Sequence, residues 1–147
     1  MVLRVVIDTN IWIRILLGGR ATLPVLAAFN DEEFQLVMSQ PLLDEFHAVW
    51  NRPRLSKRII SRQAAQLEYQ LQQRSIWIVV KTVPPHCRDP KDLPVLATAI
   101  DGSANIIVSG DNDLRADDEL RTAMETYGIE MLGVNSFLMR LEASKEA

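Results

Sequence analysis

The chain has 147 residues, with 16 basic and 19 acidic side chains and a formal net charge of −3. At about 150 residues per domain, this length predicts a single domain over residues 1–147. A hydrophobic content of 48% excludes a wholly disordered chain, and the apolar runs are too short for a membrane span. A lone cysteine, Cys87, and the lack of a signal-peptide pattern favour a cytoplasmic protein.

The spacing of apolar residues predicts five short strands alternating with helices. The predicted strands are residues 2–7, 34–38, 76–80, 105–109 and 129–132. The predicted helices are residues 10–17, 22–30, one that starts at Ser39, then 56–74, 92–100, 114–126 and 135–143. Val83-Pro84-Pro85 interrupts the chain between the third strand and the next helix. This alternation predicts an α/β fold, a sandwich of helices around a mostly parallel sheet.

Charge is unevenly distributed along the chain. Residues 1–50 carry a net charge of −3, residues 51–91 carry +7, and residues 92–147 carry −7. A basic segment can contact phosphates even in a protein that is acidic as a whole, although a solvated helix face would show the same pattern.

Acidic residues directly follow two of the predicted strands. Asp8 comes after the first strand, and Asp111 and Asp113 come after the fourth. If these strands are neighbours, their acids converge where the strand order of the sheet reverses, which is where α/β proteins bind ligands. Each acid alone could equally be a helix cap or a turn residue.

Two further acids lie on helices at positions that can face the sheet. Glu45 is at the border of the apolar face of the third helix, whereas Asp44 is nearly opposite that face. Asp92 begins the next-but-one helix on the side of its apolar residues, where it is also a candidate N-cap. Asp89 is a weaker candidate of the same kind.

Four or five carboxylates at one end of a sheet would repel one another unless a cation bound among them. Ligation by oxygen alone favours Mg²⁺ or Mn²⁺ over zinc. A site of this kind can activate water and neutralise charge on a phosphate during phosphodiester hydrolysis. The residues leave open whether one or two metal ions bind.

In order and spacing, four motifs together resemble the PIN domain, the fold of the VapC-type ribonuclease toxins. The first two motifs are Val6-Ile7-Asp8-Thr9-Asn10 and Ser39-Gln40-Pro41-Leu42-Leu43-Asp44-Glu45. The other two are Cys87-Arg88-Asp89-Pro90-Lys91-Asp92 and Ile107-Val108-Ser109-Gly110-Asp111-Asn112-Asp113-Leu114. The last two are similar to a subgroup described as toxin components of toxin–antitoxin systems.

The resemblance implies a five-stranded parallel sheet in the order 3-2-1-4-5 and cleavage of single-stranded RNA with Mg²⁺ or Mn²⁺. It implies that the metal is held by Asp8, Glu45, Asp92 and either Asp111 or Asp113, supported by Asn10 and Ser109. It further implies an antitoxin partner and allows a homodimer. The sequence departs from the family at Asp111, where many relatives have Asn, and at Pro94, where they have a small or aliphatic residue.

Four basic residues follow the Glu45 helix and could hold an RNA backbone beside the acids: Arg52, Arg54, Lys57 and Arg58. The sequence favours a metal-dependent endoribonuclease. One alternative is a non-catalytic PIN-fold module that binds RNA or a protein. Another is a phosphatase with Asp8 as nucleophile, but Asn10 occupies the position where such enzymes usually carry a second aspartate.

Overall fold

Five strands form one sheet in the computed structural model, which describes residues 2–84 and 90–146, without the side chains of 112, 113 and 146. The strands are β1 (Arg4–Ile7), β2 (Gln35–Met38), β3 (Ile76–Trp77), β4 (Ile106–Val108) and β5 (Glu130–Leu132). Every pairing is parallel, and the order is β3-β2-β1-β4-β5. The predicted α/β class and strand order are confirmed.

The central strands are apolar on both faces because helices flank the sheet. Val5 and Val6 point to opposite faces of β1, and both are fully buried. Strands covered on both faces read as continuous β-branched runs, as in the Val5-Val6-Ile7 segment. Ile7 pairs with Val108 of β4, so these two strands end at the same edge of the sheet.

Helices connect the strands in the described ranges. The first five are α1 (Thr9–Leu16), α2 (Leu23–Asn30), α3 (Gln40–Trp50), α4 (Pro53–Ser56) and α5 (Ser61–Arg74). The others are α6 (Leu93–Asp101), α7 (Asn112–Ala116), α8 (Asp118–Glu125) and α9 (Val134–Glu146). None of these helices has the length and apolar character needed to cross a membrane.

Most predicted elements differ from the observed bounds by a few residues, and three of the differences are as follows. The helix predicted over 56–74 begins at Ser61, after the separate short helix α4. The helix predicted over 114–126 is two helices, because Asp117 adopts an extended conformation and its side chain accepts a hydrogen bond from the Leu120 amide at 3.1 Å. The third strand ends at Trp77 instead of residue 80. The predicted roles of Pro85, Cys87 and Asp89 fall outside the described residues.

A buried pair of hydroxyl groups joins the start of α3 to α6. Ser39 Oγ lies 2.7 Å from Thr98 Oγ1, and both residues are fully buried. Thr98 donates its proton to the Pro94 carbonyl at 2.6 Å, so Ser39 is the donor to Thr98. Because α3 carries Glu45 and Asp92 immediately precedes α6, this contact fixes the relative position of two helices that bear candidate site residues.

Candidate active site

Asp8 lies where β1 ends and α1 begins. Its amide donates to the Val108 carbonyl at 2.9 Å, which extends the contact between β1 and β4 by one residue. Its carboxylate accepts a hydrogen bond from the Asn10 amide at 3.3 Å and thereby caps α1. The residue is only 5% exposed, so a carboxylate is held in the interior at the carboxyl edge of the sheet.

Ser109 and Asp111 follow β4 at the same edge. The fully buried Ser109 hydroxyl accepts a hydrogen bond from the Asp111 amide at 3.0 Å, and it lies close enough to Asp8 to lower the pKa of that carboxyl. The Asp111 carboxylate accepts from the Leu114 amide at 3.3 Å at the start of α7. Ser109 therefore lies close to both acids. Asn10 contacts Asp8 through its backbone amide, and its side chain is exposed.

The pKa of Asp8 is raised, chiefly because burial penalises the charged form. The negative charge of Asp111 raises it further. The Asn10 amide, the positive charge of Arg14 and the Ser109 hydroxyl act in the opposite direction. The net rise means that the ionised carboxylate is destabilised in this position, a condition that a bound cation would relieve.

Glu45 is half-buried on α3, and the pKa of its carboxyl is also raised, first by burial and then by the charge of Asp8. The Thr9 hydroxyl and the positive charges of Arg52 and Lys91 oppose this rise. Asp44 is exposed, as the helical spacing predicts, and accepts a hydrogen bond from Gln40 Nε2 at 2.8 Å. The two adjacent acids of α3 therefore occupy different environments.

Asp92 is half-buried immediately before α6. Among the described residues, its side chain makes no capping hydrogen bond to α6, so the capping interpretation does not account for it. Its neighbour Lys91 lies close enough to Glu45 to lower the pKa of that acid. The side chain of Asp113 is outside the described part of the chain, whereas Asp111 lies close enough to Asp8 for its charge to act on it.

Of the four predicted RNA-binding residues, Arg52 lies close enough to Glu45 for its positive charge to lower the pKa of that acid. Arg54, Lys57 and Arg58 are exposed on α4 and just beyond it. The sequence analysis missed two cations near the acids, Lys91 beside Glu45 and Arg14 beside Asp8. Arg14 had a detectable signal, because it follows Asn10 by four residues and these are the two exposed positions of α1.

The chemistry of these donors fits a hard divalent cation. Asp8, Asp111 and Glu45 offer only oxygen. The negative charge of Asp111 raises the pKa of Asp8, and the negative charge of Asp8 raises the pKa of Glu45. Within the described side chains, which leave out Asp113, no three His, Cys, Asp or Glu residues form a ready-made ligand group.

The chain has an α/β fold with a parallel sheet in the order β3-β2-β1-β4-β5 and acids at the carboxyl edge, where α/β proteins bind ligands. Residues 4–113 match the family model of the PIN domain. Because this match spans most of the chain, the protein belongs to the PIN domain family. A comparison with curated proteins gives no match. PIN domains are typically metal-dependent nucleases, so membership of the family indicates a nuclease-type activity and the use of divalent ions.

Proposed function

We propose that this protein is an endoribonuclease that hydrolyses phosphodiester bonds of single-stranded RNA with Mg²⁺ or Mn²⁺. The observation that carries the proposal is the position of Asp8, a carboxylate 5% exposed whose pKa is raised by burial and by Asp111. Capping of α1 accounts for one hydrogen bond of Asp8, but an uncharged Asn or Ser would cap the helix equally well without placing a buried charge beside Asp111. A bound divalent cation would stabilise the ionised form of Asp8 beside Asp111 and could take part in hydrolysis.

Asp8, Asp92 and Asp111 would hold the ion, with Glu45 at the edge of the site and Asp113 as a further candidate. When bound, the ion would neutralise charge on the scissile phosphate and lower the pKa of water. Ser109 would help to position Asp111 through the hydrogen bond from its amide, and the Asn10 amide would hold Oδ1 of Asp8. Half-buried Glu45, with its raised pKa, is suited to accept a proton from the attacking water.

Two adjacent acids on α3 provide a matched test of this proposal. Glu45→Gln removes the half-buried carboxylate, and Asp44→Asn removes an exposed one from the next position. With Mg²⁺ or Mn²⁺ and a mixed single-stranded RNA, we expect Glu45→Gln and Asp92→Asn to lose about 100-fold or more in cleavage rate. Asp44→Asn should cleave at the rate of the wild type. EDTA should stop cleavage by the wild type and by Asp44→Asn.

Equal cleavage by the wild type and Asp92→Asn would reject this assignment of the site. A wild type that binds RNA but never cuts it, with affinity unchanged in Asp92→Asn, would identify a binding module instead. We further propose that the nuclease is the toxin of a toxin–antitoxin pair, restrained by a protein partner. Expression of the wild type should then arrest cell growth, and expression of Glu45→Gln should not. Homodimer formation stays a prediction.

A further inference from the structure

A cleft of about 640 Å³ lies beside the acids, beyond the carboxyl ends of β4 and β5. Its walls come from the end of α1, the segment from Gly18 to Thr22, Ser109 and Gly110 after β4, and the start of α9. This volume is within the range of about 300–1,000 Å³ that is typical of small-ligand sites. The cleft shares Ser109 with the site of Asp8 and Asp111, so the two are contiguous.

Two arginines line the cleft, and the guanidinium group of each packs against a glycine. A Cβ atom at Gly110 would lie 2.5 Å from Nη1 of Arg14, and one at Gly133 would lie 2.5 Å from Nη1 of Arg115. Any larger residue at either position would displace the guanidinium group. The two glycines therefore let both cations lie directly against the backbone at the ends of β4 and β5.

The electrostatic character of the cleft suits an anion. No acidic side chain is among its described lining residues, while Thr22, Asn135 and Ser136 add polar groups. The first residues of α9 also line it, and amides in the first turn of a helix have no acceptor within that helix. Arg14 is exposed and has no ion pair with the described residues, so its donors can reach a ligand.

We propose that this cleft, lined by Arg14 and Arg115, is a subsite for a backbone phosphate of single-stranded RNA next to the phosphate that is cut. The inference rests on the proposed nuclease function. Arg52 and Lys91 lie near Glu45 on α3, and Arg14 lies near Asp8 at the end of β1. An RNA strand that runs along this edge of the sheet from Glu45 to Asp8 would therefore have cations near both acids to contact its phosphates. The planar guanidinium of Arg14 can bind two phosphate oxygens at once, which makes it a positioning residue for the strand.

The test measures binding without cleavage. A fluorescent single-stranded RNA pentanucleotide is titrated with protein in EDTA at several salt concentrations, using the wild type, Arg14→Gln and Arg20→Gln. Arg20 is an exposed arginine between the lining residues Gly19 and Ala21 but does not itself line the cleft. We expect Arg14→Gln to bind several-fold more weakly, with a salt slope shallower by about 0.7 for each phosphate contact that is lost. Arg20→Gln should behave like the wild type.

Equal binding and equal salt slopes for Arg14→Gln and Arg20→Gln would overturn the subsite. A mononucleotide that binds as tightly as the pentanucleotide, with the same loss in Arg14→Gln, would also overturn it and indicate a site for free nucleotides. The result is separable from the nuclease proposal because no cleavage is needed. If the wild type cleaves RNA but Arg14→Gln binds RNA as the wild type does, the subsite alone is rejected. If Arg14→Gln binds RNA more weakly but the wild type does not cleave, the subsite is supported and the nuclease proposal is rejected.

Discussion

Asp8 holds a carboxylate in the interior of the protein, at the carboxyl edge of the sheet. It is buried, next to Asp111 and only partly compensated by the Asn10 amide, Arg14 and Ser109. Buried groups whose pKa is shifted by burial and by a like charge occur often at functional sites, where stability is sacrificed for activity. Asp8 should therefore lower the stability of the metal-free protein, a consequence that can be measured directly.

We expect Asp8→Asn to raise the melting temperature in EDTA. The folded protein keeps a proton on Asp8 to a higher pH than the unfolded chain does, because the pKa of Asp8 is raised. Between the two pKa values the folded state holds more protons, so the stability of the wild type falls as pH rises through that interval. The gain in Asp8→Asn should grow from about pH 4, near the pKa of an unfolded aspartate, and become constant above the folded pKa. Thermal melts across this pH range would show it.

Asp44→Asn is the control, since it removes a carboxylate from the surface of α3. Its melting temperature should follow that of the wild type. In Mg²⁺ or Mn²⁺ the order should reverse, because the wild type gains stability from the ion and Asp8→Asn does not. A wild type that melts at the same temperature in EDTA and in Mn²⁺ would contradict the predicted cation site.

At the scale of elements, the position of α3 against α6 depends on the hydrogen bond between Ser39 and Thr98. Thr98→Val would leave the buried Ser39 hydroxyl without its acceptor, at a cost of about 1–3 kcal/mol in the free energy of unfolding. Replacing Ser39 by Ala as well removes the unsatisfied group. We expect the double variant to be less destabilised than the sum of the two single variants, as measured by urea unfolding in a double-mutant cycle. Additive losses would show that the two hydroxyls do not depend on each other.

Over the whole molecule, charge is separated into an acidic edge of the sheet and a basic segment that follows α3. Arg54 and Lys57 are exposed and, in the described part of the chain, have no ion pair. We predict that Arg54→Ala with Lys57→Ala weakens RNA binding and reduces the salt slope by about 0.7 for each phosphate contact that is lost. Titrations of a longer single-stranded RNA in EDTA at several salt concentrations measure both quantities.

A control of equal charge is available on α8 and α9. Arg121 and Arg140 lie near Asp118 and Glu130, in ion pairs of 2.5 Å and 3.7 Å. Their double replacement by alanine should leave RNA affinity and salt slope close to those of the wild type. If both double variants lose affinity equally, the effect is one of net charge, and the segment after α3 has no specific place in the RNA path.

The sequence alone was sufficient for the class of fold and for most of the strands. Continuous β-branched runs such as Val5-Val6-Ile7 are typical of buried strands. The sequence also shows Asp8 directly after β1 and Asp111 three residues after β4. The spacing on α3 also separated Glu45 from Asp44, since helical periodicity is a local property. The order of the strands came from the resemblance to a family and not from spacing.

The tertiary structure decided what depends on residues that are distant in the chain. Nothing within α1 shows that the guanidinium of Arg14 lies against Gly110, because that contact requires β4 to end beside α1. The break at Asp117 was missed although the acidic run from Asp117 to Glu119 interrupts the apolar spacing there. Whether such a run caps a new helix depends on the local backbone conformation. Burial of Asp8 and its proximity to Asp111 likewise arise only when β1 and β4 pair. Local periodicity determines the elements, but charge and burial at a site are set by the elements that meet there.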